Sequence, residues 1–253
     1  MMLVSTPAIV LSALRYSESS KIVRLATRDF GVQSAIAKGA LRPKSRFGAA
    51  LQFLSDGHAQ LYMKEHRELH TLAAFDLIRV PVPLAADLDR YAAASALAEL
   101  LLRFAPPDPH PASYDLAAAA LRELEATPAA SVTAIGLRRL WHLVSVLGFA
   151  PALETCVLDG APVSEEGELA FSAREGGALC SRCAGAQDVT RLPPESRADL
   201  AALLAPDLPL PVLDLRHAAA HRRLLVRYVR HHLGEGAELP ALEFWARRPW
   251  AAA

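Results

Sequence analysis

Two hydrophobic periods divide this chain. Up to about residue 80, apolar positions alternate with polar ones in short runs, the mark of half-buried strands. Residues 8–14 read as a strand, residues 21–27 alternate polar and apolar with period two, and Asp29-Phe30-Gly31 turns the chain into a third run over 32–38. A basic loop broken by glycine and proline follows, then Leu51-Gln52-Phe53-Leu54, a run over 58–63 after Asp56-Gly57, and a last strand over about 68–78. About five strands in some eighty residues suit a small closed barrel without free edges, of OB or SH3-like type.

Beyond Pro81 and Pro83 the period becomes 3.6. One helix is predicted over 84–105, with Tyr91, Leu97, Leu101 and Phe104 among its apolar positions, until Pro106, Pro107, Pro109 and Pro111 break it. Ser113 or Asp115 can cap a second helix reaching about 126. Ser131 opens a third, whose stripe is Leu137, Leu140, Trp141, Val144 and Leu147, and Gly148 stops it. Residues 149–190 interrupt the helices with glycine, proline and acidic residues and hold every cysteine. Helical pattern returns over 194–204 and 215–233, and the tail from 234 reads as weakly structured. The fold class expected is α+β and multidomain: a barrel over 1–80, a helical bundle over 81–148 and 191–240, and an inserted cysteine knuckle over 149–190.

Charge changes this picture. Just over half of the 253 residues are apolar and the formal charge is zero, as in a soluble globular protein. The balance hides an asymmetry: residues 1–80 hold eleven Lys or Arg against six Asp or Glu, and the remainder holds sixteen against twenty-one. The local field, not the neutral sum, decides whether a polyanion binds. Lys38, Arg42, Lys44 and Arg46 fall within nine residues, and no acidic residue lies between Asp29 and Asp56. Gly39, Pro43 and Gly48 make that run a loop. The positive run continues upstream through Lys21, Arg24 and Arg28, and Phe30, Phe47 and Phe53 could stack unpaired bases. The ordinary reading of a charge run is a solvated face. The missing acids argue for nucleic acid instead, with Lys21, Arg24, Lys38, Arg42, Lys44 and Arg46 as phosphate contacts. Residues 39–45 are not a nucleotide-hydrolysing loop, because Pro43 stands where the Walker pattern needs its second glycine.

Cys180-Ser181-Arg182-Cys183 is a CxxC pair preceded by Gly176-Gly177, and Cys156-Val157-Leu158-Asp159-Gly160 repeats the spacing with an aspartate second. Twenty residues separate Asp159 from Cys180, a normal loop for a four-ligand zinc site. No histidine lies between 143 and 216, which leaves Cys156, Asp159, Cys180 and Cys183 as the local ligand set. The alternatives are a metal-free knuckle or thiols that oxidise. No Glu–His arrangement supplies a base beside the cysteines, so a structural zinc is expected rather than a catalytic one. The helix over 216–232 carries Arg216, Arg222, Arg223, Arg227, Arg230 and four histidines, with Leu224, Leu225, Tyr228 and Val229 as its apolar side. It reads as an amphipathic helix with a solvated basic face, or as a second contact for nucleic acid or an acidic peptide. No GxSxG or HExxH motif is present. No signal sequence opens the chain and no apolar run could span a membrane, so a cytoplasmic location is expected.

In order and spacing, several of these motifs resemble the bacterial RecO family. They are Ser17-Glu18-Ser19-Ser20-Lys21, Thr27-Arg28-Asp29-Phe30-Gly31, the run from Ala37 to Arg46, and Leu51-Gln52-Phe53. Leu147-Gly148-Phe149-Ala150-Pro151 leads into Cys156, and Phe171-Ser172-Ala173-Arg174-Glu175-Gly176-Gly177 leads into the CxxC pair. The resemblance implies an N-terminal OB-fold, a helical domain and a zinc-binding insertion. It also implies a non-enzymatic recombination mediator that binds single- and double-stranded DNA and anneals complementary strands. The partners implied are RecR, often RecF, and the acidic tail of the single-strand-binding protein, with RecA loaded on the strands so exposed. Asp159 departs from the cysteine found in many members. Two rival functions are an RNA-binding barrel of translation or RNA decay, and a metalloenzyme built on the knuckle.

Overall fold

The computed structural model describes residues 2–64, 67–185, 188–234 and 236–252. Residues 1, 65 and 66 of the expected barrel, 186 and 187 of the expected insertion and 235 and 253 of the expected tail lie outside them. The chain forms two compact units that divide after Glu125.

The first unit is built on a barrel of β1 (Met2–Arg15), β2 (Lys21–Thr27), β3 (Gly31–Ala37), β4 (Asp56–Met63) and β5 (Leu69–Arg79). The strands close in the order β1-β2-β3-β5-β4, with β3 and β5 parallel and every other pair antiparallel. This is an OB-fold. β1 is longer than its pattern predicts because Pro7 interrupts the alternation without ending the strand; residues 2–9 pair with β4 and residues 8–15 with β2. A strand serving two neighbours must bend, and the register slips between Val10 and Ser12. Such a bulge adds the local twist that closure needs. Leu54 fixes it: its N–H donates to the Val10 carbonyl at 2.8 Å, and the Val10 N–H donates to the Ser55 carbonyl at 2.9 Å. Leu54 is buried there at a left-handed φ of 64°, a strain held by its surroundings. Val23 and Leu25, Ala35 and Ala37, and Ala59 and Leu61 alternate into a narrow, alanine-rich interior.

Three helices follow in this unit: α1 (Val82–Ala85), α2 (Leu88–Phe104) and α3 (Pro111–Ala126). The single helix expected over 84–105 is two, because Asp87 is extended and its carboxylate caps α2 by accepting from Arg90 N–H at 3.0 Å. α3 starts at Pro111, ahead of the expected caps: Ser113 is buried and bonds the His110 carbonyl, while Asp115 grips Arg28 through two bonds of 2.8 and 3.0 Å. Gly31 meets the proline-rich segment before α3; a Cβ there would lie 2.5 Å from the Asp108 carbonyl oxygen.

The second unit holds α4 (Val132–Val146), a small sheet of β6 (Leu169–Ser172), β7 (Gly177–Leu179) and β8 (Thr190–Leu192), and the short α5 (Ser181–Ala184). α6 (Pro194–Leu204), α7 (Leu215–His232) and α8 (Pro240–Arg247) complete it. Trp141 of α4 meets Tyr228 of α7 edge-on at 5.1 Å, and Tyr228 donates to the Phe149 carbonyl at 3.1 Å. The tail expected to be loose from 234 instead forms α8, which buries Leu242 and Trp245, followed by a 3₁₀ turn at Pro249–Ala252. An eight-residue helix flanked by proline is too short for periodicity to reveal.

His221 of α7 is 1 % exposed, and neither ring nitrogen makes a hydrogen bond. Burial pushes its pKa down to about 4, with His217 adding to the effect and outweighing the Asp199 carboxylate 3.7 Å away. The folded state therefore holds a neutral ring, and its contribution to stability is complete above the unfolded pKa of about 6.5 and lost as pH falls toward 4. Thermal unfolding followed over that range is expected to show a falling midpoint, and His221→Phe to flatten the dependence.

Candidate nucleic-acid interface and metal centre

The basic loop joins β3 to β4, and its sequence sorts into anchors and cations. Ala40, Phe47, Ala50 and Leu51 are buried in the barrel core cluster, while Lys38, Arg42, Lys44 and Arg46 are exposed. Burying Phe47 and Leu51 contributes roughly 1.5–3 kcal/mol each, which holds the backbone between them in a series of turns. Phe47 is 2 % exposed, so it is core and not a stacking platform; the Arg46 guanidinium lies 5.1 Å from its ring. Phe53 packs edge-on against Tyr91 at 5.9 Å, and Phe30 is half-buried.

Lys21 pairs across the sheet with Ala37, the residue before Lys38, so these two cations share one end of the barrel. Arg24 is not with them. It sits one strand-face over from the inward Val23 and Leu25, half-buried, opposite Ser34, with a buried Nε lacking a hydrogen-bond partner. Among the described residues, none of Lys21, Arg24, Lys38, Arg42, Lys44 and Arg46 forms an ion pair. Arg28 does: the hydrogen bonds it donates to Asp115, and the charge of that carboxylate, raise the guanidinium pKa and remove this cation from the free set. An aromatic that the sequence did not single out is free instead. Tyr16, at the β1–β2 turn, is 59 % exposed and lines a cleft of about 290 Å³ with Ser17, Ser19, Ser20, Lys38 and Arg42.

The second constellation is local to the small sheet. One atom from each of Cys156, Asp159, Cys180 and Cys183 lies within 4.8 Å of every other, so the four could hold one metal ion. Two tight turns present them. Cys156 N–H donates to Ala161 and Gly160 N–H to Cys156 around the first; Cys183 and Ala184 N–H donate to Cys180 around the second. Gly177 lets the segment leading into the first turn pair closely with β7, because a Cβ would lie 2.3 Å from the Ala152 carbonyl oxygen. Asp159 Oδ2 accepts from the Cys180 and Cys183 thiols at 3.4 and 3.2 Å, close to the roughly 3.5 Å edge expected between S and O ligands of a tetrahedral zinc. The donor set therefore fits such an ion.

The electrostatics of these four side chains run between them. Arg182, held by Asp159 Oδ2 at 2.6 Å, keeps that carboxyl well below the usual range, with the Ala161 N–H and the thiols helping. The Asp159 carboxylate in turn pushes Cys183 up to about 12. Cys156 is pulled the other way: burial opposes its ionisation, but N–H groups of Cys180, Leu158 and Asp159 outweigh it and hold the thiol below its ordinary value. A bound cation would displace the thiol protons and reverse these relations. Arg182 would then orient Asp159 from outside the ligand set.

Family comparison gives the whole chain a context. The family model described as Recombination protein O N terminal matches residues 1–81, and that described as Recombination protein O C terminal matches 85–240. The chain belongs to the RecO family. It is 35 % identical over 243 residues to the DNA repair protein RecO of Anaeromyxobacter dehalogenans (strain 2CP-C), covering 91 % of this chain and 92 % of that one. Identity to the protein of that name from a Nocardioides species is 33 %, over 93 % and 96 % of the two chains. The relative from Symbiobacterium thermophilum is 35 % identical over 72 % of each.

In this RecO chain the basic face of α7 is partly consumed within its own unit. Arg222 is buried, Arg227 donates to the Thr190 hydroxyl at 3.0 Å, and Arg230 pairs with Glu243 of α8. Leu224, Leu225, Tyr228 and Val229 are buried as their spacing predicts. Among the described residues no helix is long and apolar enough to cross a membrane.

Replacing both Cys180 and Cys183 with serine is expected to abolish metal content measured by elemental analysis of purified protein. Asp159→Cys should raise the chelator concentration needed to strip the ion, by about tenfold, since a thiolate is the softer ligand.

Proposed function

We propose that this chain is a non-enzymatic recombination mediator that binds single- and double-stranded DNA and anneals complementary strands. In this reading it helps to load RecA onto strands coated by the single-strand-binding protein, acting with RecR and often RecF in the cytoplasm at the nucleoid. Four exposed cations on one anchored loop, with no acidic partner among the described residues, carry the reading. A mediator must compete for DNA yet release it without hydrolysing ATP, and a salt-sensitive phosphate surface does both. Annealing is opposed by repulsion between two strands, which one cationic surface screens.

The barrel over 1–80 is the DNA-binding part. The helical part, 81–148 and 191–240, supplies protein contacts, and the insertion over 149–190 is held by a structural zinc on Cys156, Asp159, Cys180 and Cys183. When bound, the ion supplies a cross-link between the two turns and no reaction chemistry. For the acidic tail of the single-strand-binding protein, the groove between α7 and α8 offers matching charge: the exposed Arg223 and Arg227 line it beside the Arg230–Glu243 pair, and Ala219, Val226 and Ala246 lie within.

If about four phosphates are neutralised, the log–log salt slope on single strands is about −3, and affinity falls roughly fifty-fold between 50 and 200 mM salt. Lys44→Glu combined with Arg46→Glu is expected to weaken binding to all sequences and to cut that slope to about half. Unchanged single-strand affinity in an anisotropy titration of this double variant would remove the loop from the interface.

A further inference from the structure

The cleft beside the basic loop has features that a generic phosphate surface does not require. It lies between the β1–β2 turn and the start of the loop, lined by Tyr16, Ser17, Ser19, Ser20, Ile36, Lys38, Gly39 and Arg42. The two segments are bonded together, because Leu41 N–H donates to the Ser19 carbonyl at 3.0 Å. The turn itself is closed by Tyr16 N–H donating to Ser20 at 3.0 Å. Gly39 stands at φ 73° with the Arg42 side chain folded over it, 3.5 Å from where a Cβ would be. These contacts give the cleft fixed walls.

Its donors are unspent. The side-chain hydroxyls of Ser17, Ser19 and Ser20 make no hydrogen bond to any described residue, and neither does the Tyr16 hydroxyl. Ser20 is only 8 % exposed, yet its oxygen is not among the buried unpartnered atoms, so it opens into the cleft. Lys38 and Arg42 add two unpaired cations at the same place. Glu18, in the same turn, is exposed and does not line the cleft. Hydroxyl donors with two cations and no acid match one phosphodiester group. Tyr16 lines the same cleft with more than half its surface free, and among the described residues no side chain stacks against its ring.

We infer that this cleft is a single-nucleotide seat for unpaired DNA: one backbone phosphate lies among Ser17, Ser19, Ser20, Lys38 and Arg42, and the attached base stacks on Tyr16. The inference rests on the DNA-binding reading of the basic loop and adds to it a residue that separates single strands from duplex. Cations attract both forms, whereas a ring can stack only on a base that is not already paired and stacked in a helix. The phosphate contacts fix position and the ring supplies the preference.

Three variants of the full-length protein test this by anisotropy with an unstructured oligonucleotide and with its duplex, each over a salt series. Tyr16→Ala should lower single-strand affinity between about fivefold and a hundredfold while leaving duplex affinity and the salt slope unchanged. Tyr16→Phe should restore the affinity, since the ring and not the hydroxyl is required. Lys38→Ala should weaken both forms and reduce the single-strand slope by about 0.7. The substituted Tyr16 is exposed, and matched thermal melting confirms that the fold is intact. Equal losses on single strand and duplex for Tyr16→Ala, or no loss on either, overturns the seat. If Lys44→Glu with Arg46→Glu still weakens binding in that case, the loop reading survives; if that double variant is also without effect, the loop reading fails too.

Discussion

At the bend of β1, the strand whose two halves serve different neighbours, a pair of backbone hydrogen bonds ties Val10 to Leu54 and Ser55. They let a single long strand bend at its bulge and serve both β2 and β4, so that the sheet has no free edge on that side. They also end the basic loop. The loop that carries the cations is thus fastened to the most constrained point of the sheet at one end and continues directly from β3 at the other. Its intervening anchors, Ala40, Phe47, Ala50 and Leu51, belong to the same core that the strands build. The core that fills the barrel is therefore also the core that holds the charged loop in place.

The first unit separates its cations by partner. Arg28 is gripped by Asp115, and Arg79 pairs with Glu125 and lies 3.8 Å from Asp56. These guanidiniums act as struts between barrel and helix. The loop cations have no such carboxylates within reach among the described residues, so their field is spent on solvent. The same residue type does two jobs, and the difference lies in where acidic side chains fall along α3. In the second unit the pattern repeats on α7, where Glu243 of α8 takes up Arg230 and leaves Arg223 exposed.

Elements whose chemistry is local were legible from sequence. β2 and α6 fall on the residues their periodicity marks, and the two knuckles bring Cys156, Asp159, Cys180 and Cys183 together because each turn is set by a few adjacent residues. What was missed has more than one cause. Pro7 hides the first half of β1, since a proline within a run argues against a strand unless its neighbours tolerate the lost donor. Asp87 splits a helix whose apolar pattern runs on, and α8 is too brief to show a period. The aromatics make the point most sharply: Phe47 lies among cations and is buried, whereas Tyr16 lies among serines and is free. Sequence shows which rings stand near charge, but only packing decides which of them faces water.

The anchoring of the loop has a thermodynamic consequence. A binding segment that folds only on contact buries apolar surface at that moment and shows a large negative heat-capacity change. Here Phe47, Leu51 and Leu54 are already out of water before any ligand arrives. Association with a polyanion would therefore be dominated by release of counterions, an entropic process, with a heat-capacity change that stays small. Affinity would respond steeply to ionic strength and only weakly to temperature.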